Sequence, residues 1–311
     1  MVLWLSLTSL SAQQDQLYTQ FGYNKLSFNP AYAGQDDYLS ITALYRDQWN
    51  GFPGAPEAQQ VSVNLPRFKG NAGFGIHLER QSIGVSKSIA IHGSYAYKLR
   101  FSGNRMLSLG VMPSIRNLVK DFSDPRLVAT EGVIDDPAVM GQRFSKNLFN
   151  VGLGTYYNHD NYFVGVSVPR LLRSSLEIGD SGLGSNNEVW HLYLMGGAEF
   201  PINNDLSLTP QVLLRKSEAA PLTFDFNVGV KAFDKYNLSA TYRSGGLLDD
   251  IGESLAVTVG ISVNKQFLIG FSNDFSLSEI SQVTNGSIEL LLYYRFVPDD
   301  PKKKVANPRF F

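Results

Sequence analysis

The sequence predicts an all-β protein, a transmembrane antiparallel β-barrel of about 14 strands, from its residue alternation and its turn lengths. Apolar and polar residues alternate with a period of two from about residue 38 to residue 296, as in strands whose two faces meet different surroundings. The alternating segments are residues 38–46, 57–65, 72–81, 86–99, 105–116, 144–157, 162–168, 188–200, 206–215, 221–233, 236–243, 253–263, 267–275 and 284–296. An even strand number is typical of single-chain bacterial outer-membrane barrels.

The lengths of the connections favour the same architecture. Connections after the even-numbered segments are short, such as 101–104 and 234–235, whereas several after the odd-numbered segments are long, such as 117–143 and 170–187. Outer-membrane barrels have short periplasmic turns and longer extracellular loops. We therefore expect both chain termini to be periplasmic.

Composition narrows the function classes. The chain has 311 residues, 43% of them hydrophobic, with no cysteine and a formal net charge of -1. The absence of cysteine excludes disulfides and thiolate metal ligands. A near-neutral chain without a basic field or a recognition motif is not expected to bind nucleic acid.

The two chain ends are distinct from the barrel. Residues 1–12 have the apolar stretch and small-residue end of a secretory signal peptide without its positively charged start, which indicates a truncated export signal. Residues 38–297 form the predicted barrel. The tail, residues 298–311, contains three consecutive lysines and does not continue the apolar–polar alternation of the strands. We expect a periplasmic extension that is disordered, with contact to a periplasmic partner as the alternative.

Residues 13–37 form an N-terminal segment that is too polar and aromatic for a signal and too irregular for a strand. We expect this segment to pack inside the periplasmic mouth as a plug or brace; the alternative is a simple lead-in to the first strand. The plug candidates are Tyr18, Phe21, Tyr23, Asn24, Phe28, Asn29, Pro30 and Tyr32.

Charged residues occupy the predicted inner face of the barrel. They are Arg46, Glu79, Lys98, Arg100, Glu199, Arg215, Asp225, Lys231, Arg243, Glu289 and Arg295. Charges of both signs on an enclosed wall can pair across the lumen, and we expect such a salt-bridge network. A polar channel or a docking cavity is the alternative.

No residue pattern indicates catalysis. Serine and histidine residues lack the spacing of a nucleophilic triad, and no cofactor is expected. His77 and His92 face each other if the turn centres on residues 84–85, and only Glu79 is available as a third metal ligand. Because ligand number decides a metal site, we expect hydrogen-bonded lumen histidines and no metal.

Three blocks of the sequence resemble one known family. The first is QQDQLYTQFGYNKLSFNPAYAG, residues 13–34. The second, residues 45–56, is similar to the block Y-R-x-Q-W-x-G-F-x-G-A-P, and the third, NVGLGTYYNHDNYFVGVSVPRLL, residues 150–172, supports the other two. These blocks resemble the PorP/SprF family, outer-membrane proteins associated with type IX secretion and gliding motility in Bacteroidetes.

The resemblance implies a non-enzymatic barrel that acts as an adaptor of the secretion and gliding machinery and anchors a secreted or surface-displayed protein at the cell surface. The implied partners are a protein with a type IX C-terminal region, periplasmic or lipoprotein components of the machinery, and outer-membrane lipid. The resemblance leaves open whether the barrel holds cargo or attaches machinery. The alternative is a passive porin or a substrate-specific transporter, with the 117–143 loop folded into the pore.

The first hairpin is the candidate partner contact. Arg46, Trp49, Phe52 and Pro53 lie there, on the side expected to face the exterior. Tryptophan and arginine are common anchors of protein interfaces. The alternative is a loop folded inward onto the wall.

Overall fold

The chain folds into a closed antiparallel barrel of fourteen strands, so the predicted fold class is confirmed. The computed structural model describes residues 16–67, 71–123, 143–174, 189–218, 220–245 and 252–297. The strands are β1 (Ser40–Asp47), β2 (Glu57–Asn64), β3 (Ala72–Ile83), β4 (Ser86–Phe101), β5 (Arg105–Asp121), β6 (Arg143–Asn158), β7 (Tyr162–Val168), β8 (His191–Ala198), β9 (Leu206–Ser217), β10 (Thr223–Ala232), β11 (Tyr236–Arg243), β12 (Ser254–Ser262), β13 (Phe267–Ser276) and β14 (Ser287–Arg295). After Glu199, the short segment Phe200–Pro201 continues β8 and pairs with β9.

The last strand closes the barrel onto the first. β14 pairs with β1 in the register Ser40↔Arg295 through Asp47↔Ile288. Every other strand pairs with its neighbours in the chain. Closure leaves no unpaired sheet edge, which an apolar bilayer requires.

The two faces of the wall separate by residue type. In β12 the residues alternate between buried and exposed along the whole strand, with Leu255, Val257 and Val259 more than 40% exposed and Ser254 and Thr258 buried. Large apolar side chains therefore cover the outside, where lipid provides an apolar surrounding. No helix among the described residues is long and apolar enough to cross a membrane.

The structure moves some predicted boundaries. β5 extends to Asp121 and β6 begins at Arg143, which is its register partner, so this hairpin is longer than the alternation predicted. The added part of β5, residues 117–121, mixes polar and apolar side chains, and backbone pairing continues there although the alternation has ended. Residues 124–142 of the long loop, the predicted signal at 1–12 and the tail at 298–311 lie outside the described residues.

The hydrophobic core lies inside the barrel, between the wall and residues 16–39. From here on, the N-terminal segment means the described residues that precede β1, 16–39, in place of the predicted range 13–37. It contains three short helices, Phe21–Tyr23, Lys25–Phe28 and Pro30–Tyr32. The core residues of the segment include Tyr18, Phe21, Phe28 and Ala31. The wall contributes Leu44, Ala58, Tyr156, Phe163, Tyr193, Met195, Leu213, Leu268 and Leu291.

Candidate functional site

Asn29 fixes the N-terminal segment locally and attaches it to the wall. Its side-chain oxygen accepts a hydrogen bond of 2.9 Å from the backbone N–H of Ala31 and caps the helix that begins at Pro30. Its amide group donates to the carbonyl of Thr155 at 2.9 Å. Asn29 is fully buried, so one side chain satisfies both a helix end and a wall carbonyl.

Aromatic side chains pack the segment against β6, β7 and β8. Phe28 meets Tyr193 edge-on with ring centroids 5.5 Å apart, and Tyr32 meets Tyr156 in the same manner at 5.4 Å. Tyr156 in turn stacks on Phe163 at 5.5 Å. Such pairs add to the stabilisation from apolar burial and hold the segment in one orientation.

Glycines of the wall make room for the segment. A Cβ atom added at Gly110 would overlap the backbone of Pro30 and Ala31, and one at Gly73 would overlap the carbonyl of Ala33. At three further wall glycines, an added Cβ atom would overlap side chains of the segment. These are Gly75, Gly154 and Gly270. The absence of a side chain at these positions allows close approach of the backbone.

Six buried charges form one network across the lumen, which we call the ion-pair network. Its members are Arg46, Arg215, Asp225, Arg243, Asp274 and Glu289. Arg46 bonds Asp274 at 2.8 Å and Glu289 at 3.1 Å, and Arg243 bonds Asp225 at 3.0 Å and Asp274 at 3.2 Å. Arg215 bonds Asp225 at 2.8 Å. Three guanidinium groups thus balance three carboxylates, as burial of charge requires.

Thr19 joins the N-terminal segment to the ion-pair network. Its hydroxyl donates to Asp274 at 2.8 Å and its backbone N–H donates to Glu289 at 2.9 Å. The backbone N–H of Gln20 donates to the other oxygen of Glu289 at 2.7 Å. The carboxylates of the wall therefore satisfy backbone donors of the segment as well as arginines.

Thr19 and Asp274 were absent from the sequence-based candidates. Asp274 lies on β13 with the same parity as the buried residues Leu268 and Ser272, so strand alternation could have placed it on the inner face. No local signal identifies Thr19, because the two carboxylates that accept from it, Asp274 and Glu289, lie more than 250 residues away in the chain.

The remaining charges expected in the lumen lie outside the ion-pair network and have other partners or surroundings. Lys98 donates to the carbonyl of Ala33 at 2.8 Å, and Glu79 accepts from the hydroxyl of Tyr18 at 2.8 Å. Lys231 lies 4.0 Å from Glu199 and 3.2 Å from Asp234. Arg100 and Arg295 line a cavity of about 440 Å³ at the mouth that carries the short turns.

The other plug candidates also lie inside the barrel. Asn24 is buried and exchanges hydrogen bonds with Gln60 at 2.9 Å and Ser62 at 2.6 Å. Phe21 is buried in the core, and Tyr23 packs against the core while partly buried. Residues of the segment thus contact the wall along its whole length.

The first hairpin carries its predicted contact residues at different depths. Arg46 is 1% exposed and belongs to the ion-pair network, so it lies in the lumen, which is one of the two places the sequence allowed, and not at the outer surface. Its side chain points inward because it shares the strand parity of Leu44 and Thr42. Trp49 is half-buried, whereas Phe52 and Pro53 are exposed.

The root of this hairpin is tied to the β13–β14 loop. The backbone N–H of Asn50 donates to the carbonyl of Gly286 at 2.7 Å, and Asn285 donates to the carbonyl of Asn50 at 2.8 Å. The backbone N–H of Trp49 donates to Ser287 at 3.1 Å. The tip with Phe52 is therefore presented on a fixed base.

His77 and His92 face each other as register partners on β3 and β4. His77 is hydrogen-bonded to Ser62 at 2.8 Å, as expected. His92 is buried, and neither ring nitrogen has a hydrogen-bond partner among the described residues. The expectation of hydrogen bonding therefore holds for only one of the two histidines.

A closed, lipid-faced barrel with an apolar exterior and a polar lumen defines an outer-membrane β-barrel protein. Among solved structures of this fold, the CymD monoaromatic hydrocarbon channel is 10% identical with a TM-score of 0.53, over 89% of this chain and 94% of that one. A Pseudomonas aeruginosa FadL homologue is 14% identical with a TM-score of 0.48, over 89% and 94%. The Acinetobacter baumannii outer-membrane protein Omp33 is 10% identical with a TM-score of 0.48, over 85% and 100%.

The chain belongs to the PorP/SprF family of type IX secretion system membrane proteins, whose family model matches residues 10–294. This match confirms the resemblance drawn from the three sequence blocks. No curated protein matches the chain.

Proposed function

We propose that this barrel is an outer-membrane adaptor of the type IX secretion and gliding machinery that anchors a secreted or surface-displayed protein at the cell surface. The observation that carries the proposal is the occupied lumen. The N-terminal segment and the ion-pair network fill the space that a diffusion channel needs open. A barrel braced in this way suits a fixed attachment point better than a passage.

The proposed orientation places both termini in the periplasm and the long loops outside. Loop lengths support it, since the connections after β1, β5, β7, β11 and β13 are long and those after the even-numbered strands are short. The partner would then meet the exposed tip of the first hairpin at Phe52 and Pro53. Machinery components would meet the opposite mouth.

Affinity purification from the native membrane tests the adaptor role. The tagged chain is extracted in mild detergent, and the proteins that remain bound are identified by mass spectrometry. The proposal predicts a large secreted protein with a type IX C-terminal region in amounts comparable to the barrel. A folded barrel recovered without such a protein contradicts it.

Substitution of the hairpin tip tests the proposed contact surface. Phe52→Ala with Pro53→Ala removes an exposed apolar group that is 44% accessible at the phenylalanine. Exposed aromatic anchors at interfaces often cost about 2 kcal/mol or more on truncation, so we expect partner recovery to fall by at least about tenfold.

Phe233→Ala is the matched control for this substitution. Phe233 is 66% exposed in a short turn at the opposite end of the barrel. Full partner recovery is expected for this variant. If the hairpin-tip variant recovers as much partner as Phe233→Ala does, the tip is not part of the interface.

The runner-up is a porin or a substrate-specific transporter. The 440 Å³ cavity at the short-turn mouth favours it, because four arginines line the cavity against two aspartates and could receive an anionic solute. The arginines are Arg67, Arg100, Arg105 and Arg295, and the aspartates are Asp36 and Asp37. The N-terminal segment closes the inner side of this cavity through Tyr32 and Gln35.

A further inference from the structure

A cluster of metal-ligand atoms lies in the lumen, away from the ion-pair network. One ring nitrogen of His77, one of His92 and a carboxylate oxygen of Glu79 lie within 4.8 Å of one another. His77 and Glu79 are two residues apart on β3 and share its inner face, and β4 presents His92 opposite His77. The backbone ladder therefore fixes the spacing of the three groups.

A chain of hydrogen bonds determines which nitrogen of His77 is available. Glu79 as a carboxylate can only accept, so the Gln60 amide donates to it at 2.9 Å. The Gln60 oxygen then accepts from Asn24 at 2.9 Å, and the Asn24 oxygen accepts from the Ser62 hydroxyl at 2.6 Å.

Ser62 donates its only hydroxyl proton to Asn24, so its oxygen must accept at the 2.8 Å contact with Nδ1 of His77. Nδ1 therefore carries the proton and Nε2 carries a lone pair. This is the arrangement of a metal-binding histidine, in which a hydrogen bond at one nitrogen orients the other toward the ion.

His92 provides an independent observation. It is 8% exposed, and both of its ring nitrogens are buried without a hydrogen-bond partner among the described residues. Burial of an unsatisfied polar group is unfavourable. A metal ion between His92, His77 and Glu79 would give one of these two nitrogens a partner.

The three residues open onto a cavity of about 40 Å³, which is enough for an ion with a bound water. Gln16 of the N-terminal segment lines the same cavity, and its side-chain amide also lacks a described hydrogen-bond partner. Arg170 also lines the cavity, and its positive charge disfavours a bound cation. The negative charge of the Glu79 carboxylate offsets the charge of Arg170. The Gln60 and Gln81 amides, at 2.9 and 2.7 Å, orient that carboxylate.

We propose that His77, Glu79 and His92 bind one divalent transition-metal ion, and that zinc is the ion that these donors favour. Two neutral imidazoles and one carboxylate are a common protein ligand set for zinc, with the fourth position of the tetrahedron open to water or to the amide oxygen of Gln16. The hydroxyl of Tyr18, in the N-terminal segment, donates to Glu79. An ion bound by Glu79 and the two histidines would therefore link the segment to β3 and β4.

Zinc binding to the full-length folded barrel tests the proposal. The protein carries a tag without histidine, is stripped with a chelator in detergent, and is titrated with Zn²⁺ alone while bound metal is measured by mass spectrometry. We expect about one zinc per chain. In His92→Phe we expect affinity to fall by at least about 100-fold, since loss of an outer-shell partner alone costs 10–100-fold.

The control is His159→Phe. His159 stacks on Tyr162 in a short turn with ring centroids 5.3 Å apart, so both variants exchange one histidine ring for a phenyl ring. The control should bind zinc as the unaltered protein does. Equal affinity in His92→Phe and the control, or no zinc in the unaltered protein, overturns the proposal.

A second measurement needs no variant. Co²⁺ added to the chelator-stripped, unaltered barrel should give the intense visible absorption of a four-coordinate ion, and Zn²⁺ should abolish it. A spectrum of hydrated Co²⁺ only would overturn the proposal even if His92→Phe fails to fold.

Discussion

Thr19 is the residue at which the N-terminal segment and the barrel wall depend on each other. Its hydroxyl and backbone N–H occupy acceptors of Asp274 and Glu289, while Arg46 and Arg243 neutralise the same carboxylates. All of these groups are nearly inaccessible to solvent. Removal of one charge therefore leaves its partners buried and unbalanced.

Asp274→Ala should destabilise the barrel by about 3 kcal/mol or more, because Arg46 and Arg243 each lose an acceptor in a buried site. Urea unfolding in lipid vesicles, followed by tryptophan fluorescence, measures the change. The control is Asp37→Ala, which breaks a pair of 3.2 Å with Arg67 where the Asp37 side chain is 70% exposed. The control should cost about 0–1 kcal/mol, and equal costs would count against the network as a stabilising element.

Strand parity explains which of these residues the sequence could predict. Glu289 and Arg243 lie in strands whose alternation is clear, and their inward orientation follows from it. Arg46 stands near the end of β1, where the sequence allowed both a lumen and a loop interpretation. Its place within β1, in step with Leu44, and its register with Glu289 together put it in the lumen. The orphaned nitrogens of His92 depend on side chains from several elements, which no local pattern contains.

At the scale of elements, the N-terminal segment is held by shape as well as by charge. Gly73 of β3 and Gly110 of β5 leave space that the backbone of residues 30–34 fills, and Gly154 of β6 leaves space for the side chains of Asn29 and Pro30. The sequence predicted that this segment packs in the lumen from its aromatic and asparagine content. It could not predict the glycine contacts, because a strand glycine is equally consistent with a bend or a relief of crowding.

Gly110→Ala should displace the segment, because the added methyl group overlaps the backbone of Pro30 and Ala31. Overpacking of this kind costs about 1–3 kcal/mol. Lys25 is 1% exposed and is the sole trypsin site in the N-terminal segment. Cleavage after Lys25 in the folded barrel should become at least about fivefold faster, which corresponds to about 1 kcal/mol of easier opening.

Gly93→Ala is the control for this substitution. A Cβ atom at Gly93 has no neighbour within 4 Å, so the variant tests the loss of a strand glycine alone. Cleavage at Lys25 should match the unaltered protein. If trypsin cleaves after Lys25 at the same rate in Gly110→Ala and Gly93→Ala, close backbone contact does not hold the segment.

At the scale of the molecule, the barrel has an interior like that of a packed domain. Aromatic contacts of Phe28 and Tyr32, the ion-pair network and the glycine contacts act on one segment from different sides. The closed wall removes sheet edges, and the N-terminal segment packs inside it. The contacts of the described residues therefore brace the N-terminal segment inside the wall, as the proposed function requires.

Conductance in planar bilayers tests this account most directly. The purified, folded barrel is inserted without a partner, and single-channel currents are recorded in concentrated salt. We predict no sustained conductance, because the N-terminal segment remains bound to Glu289, Asp274 and the wall of β6. Stable open-channel currents from the unaltered barrel would contradict the braced, closed lumen and would favour a pore.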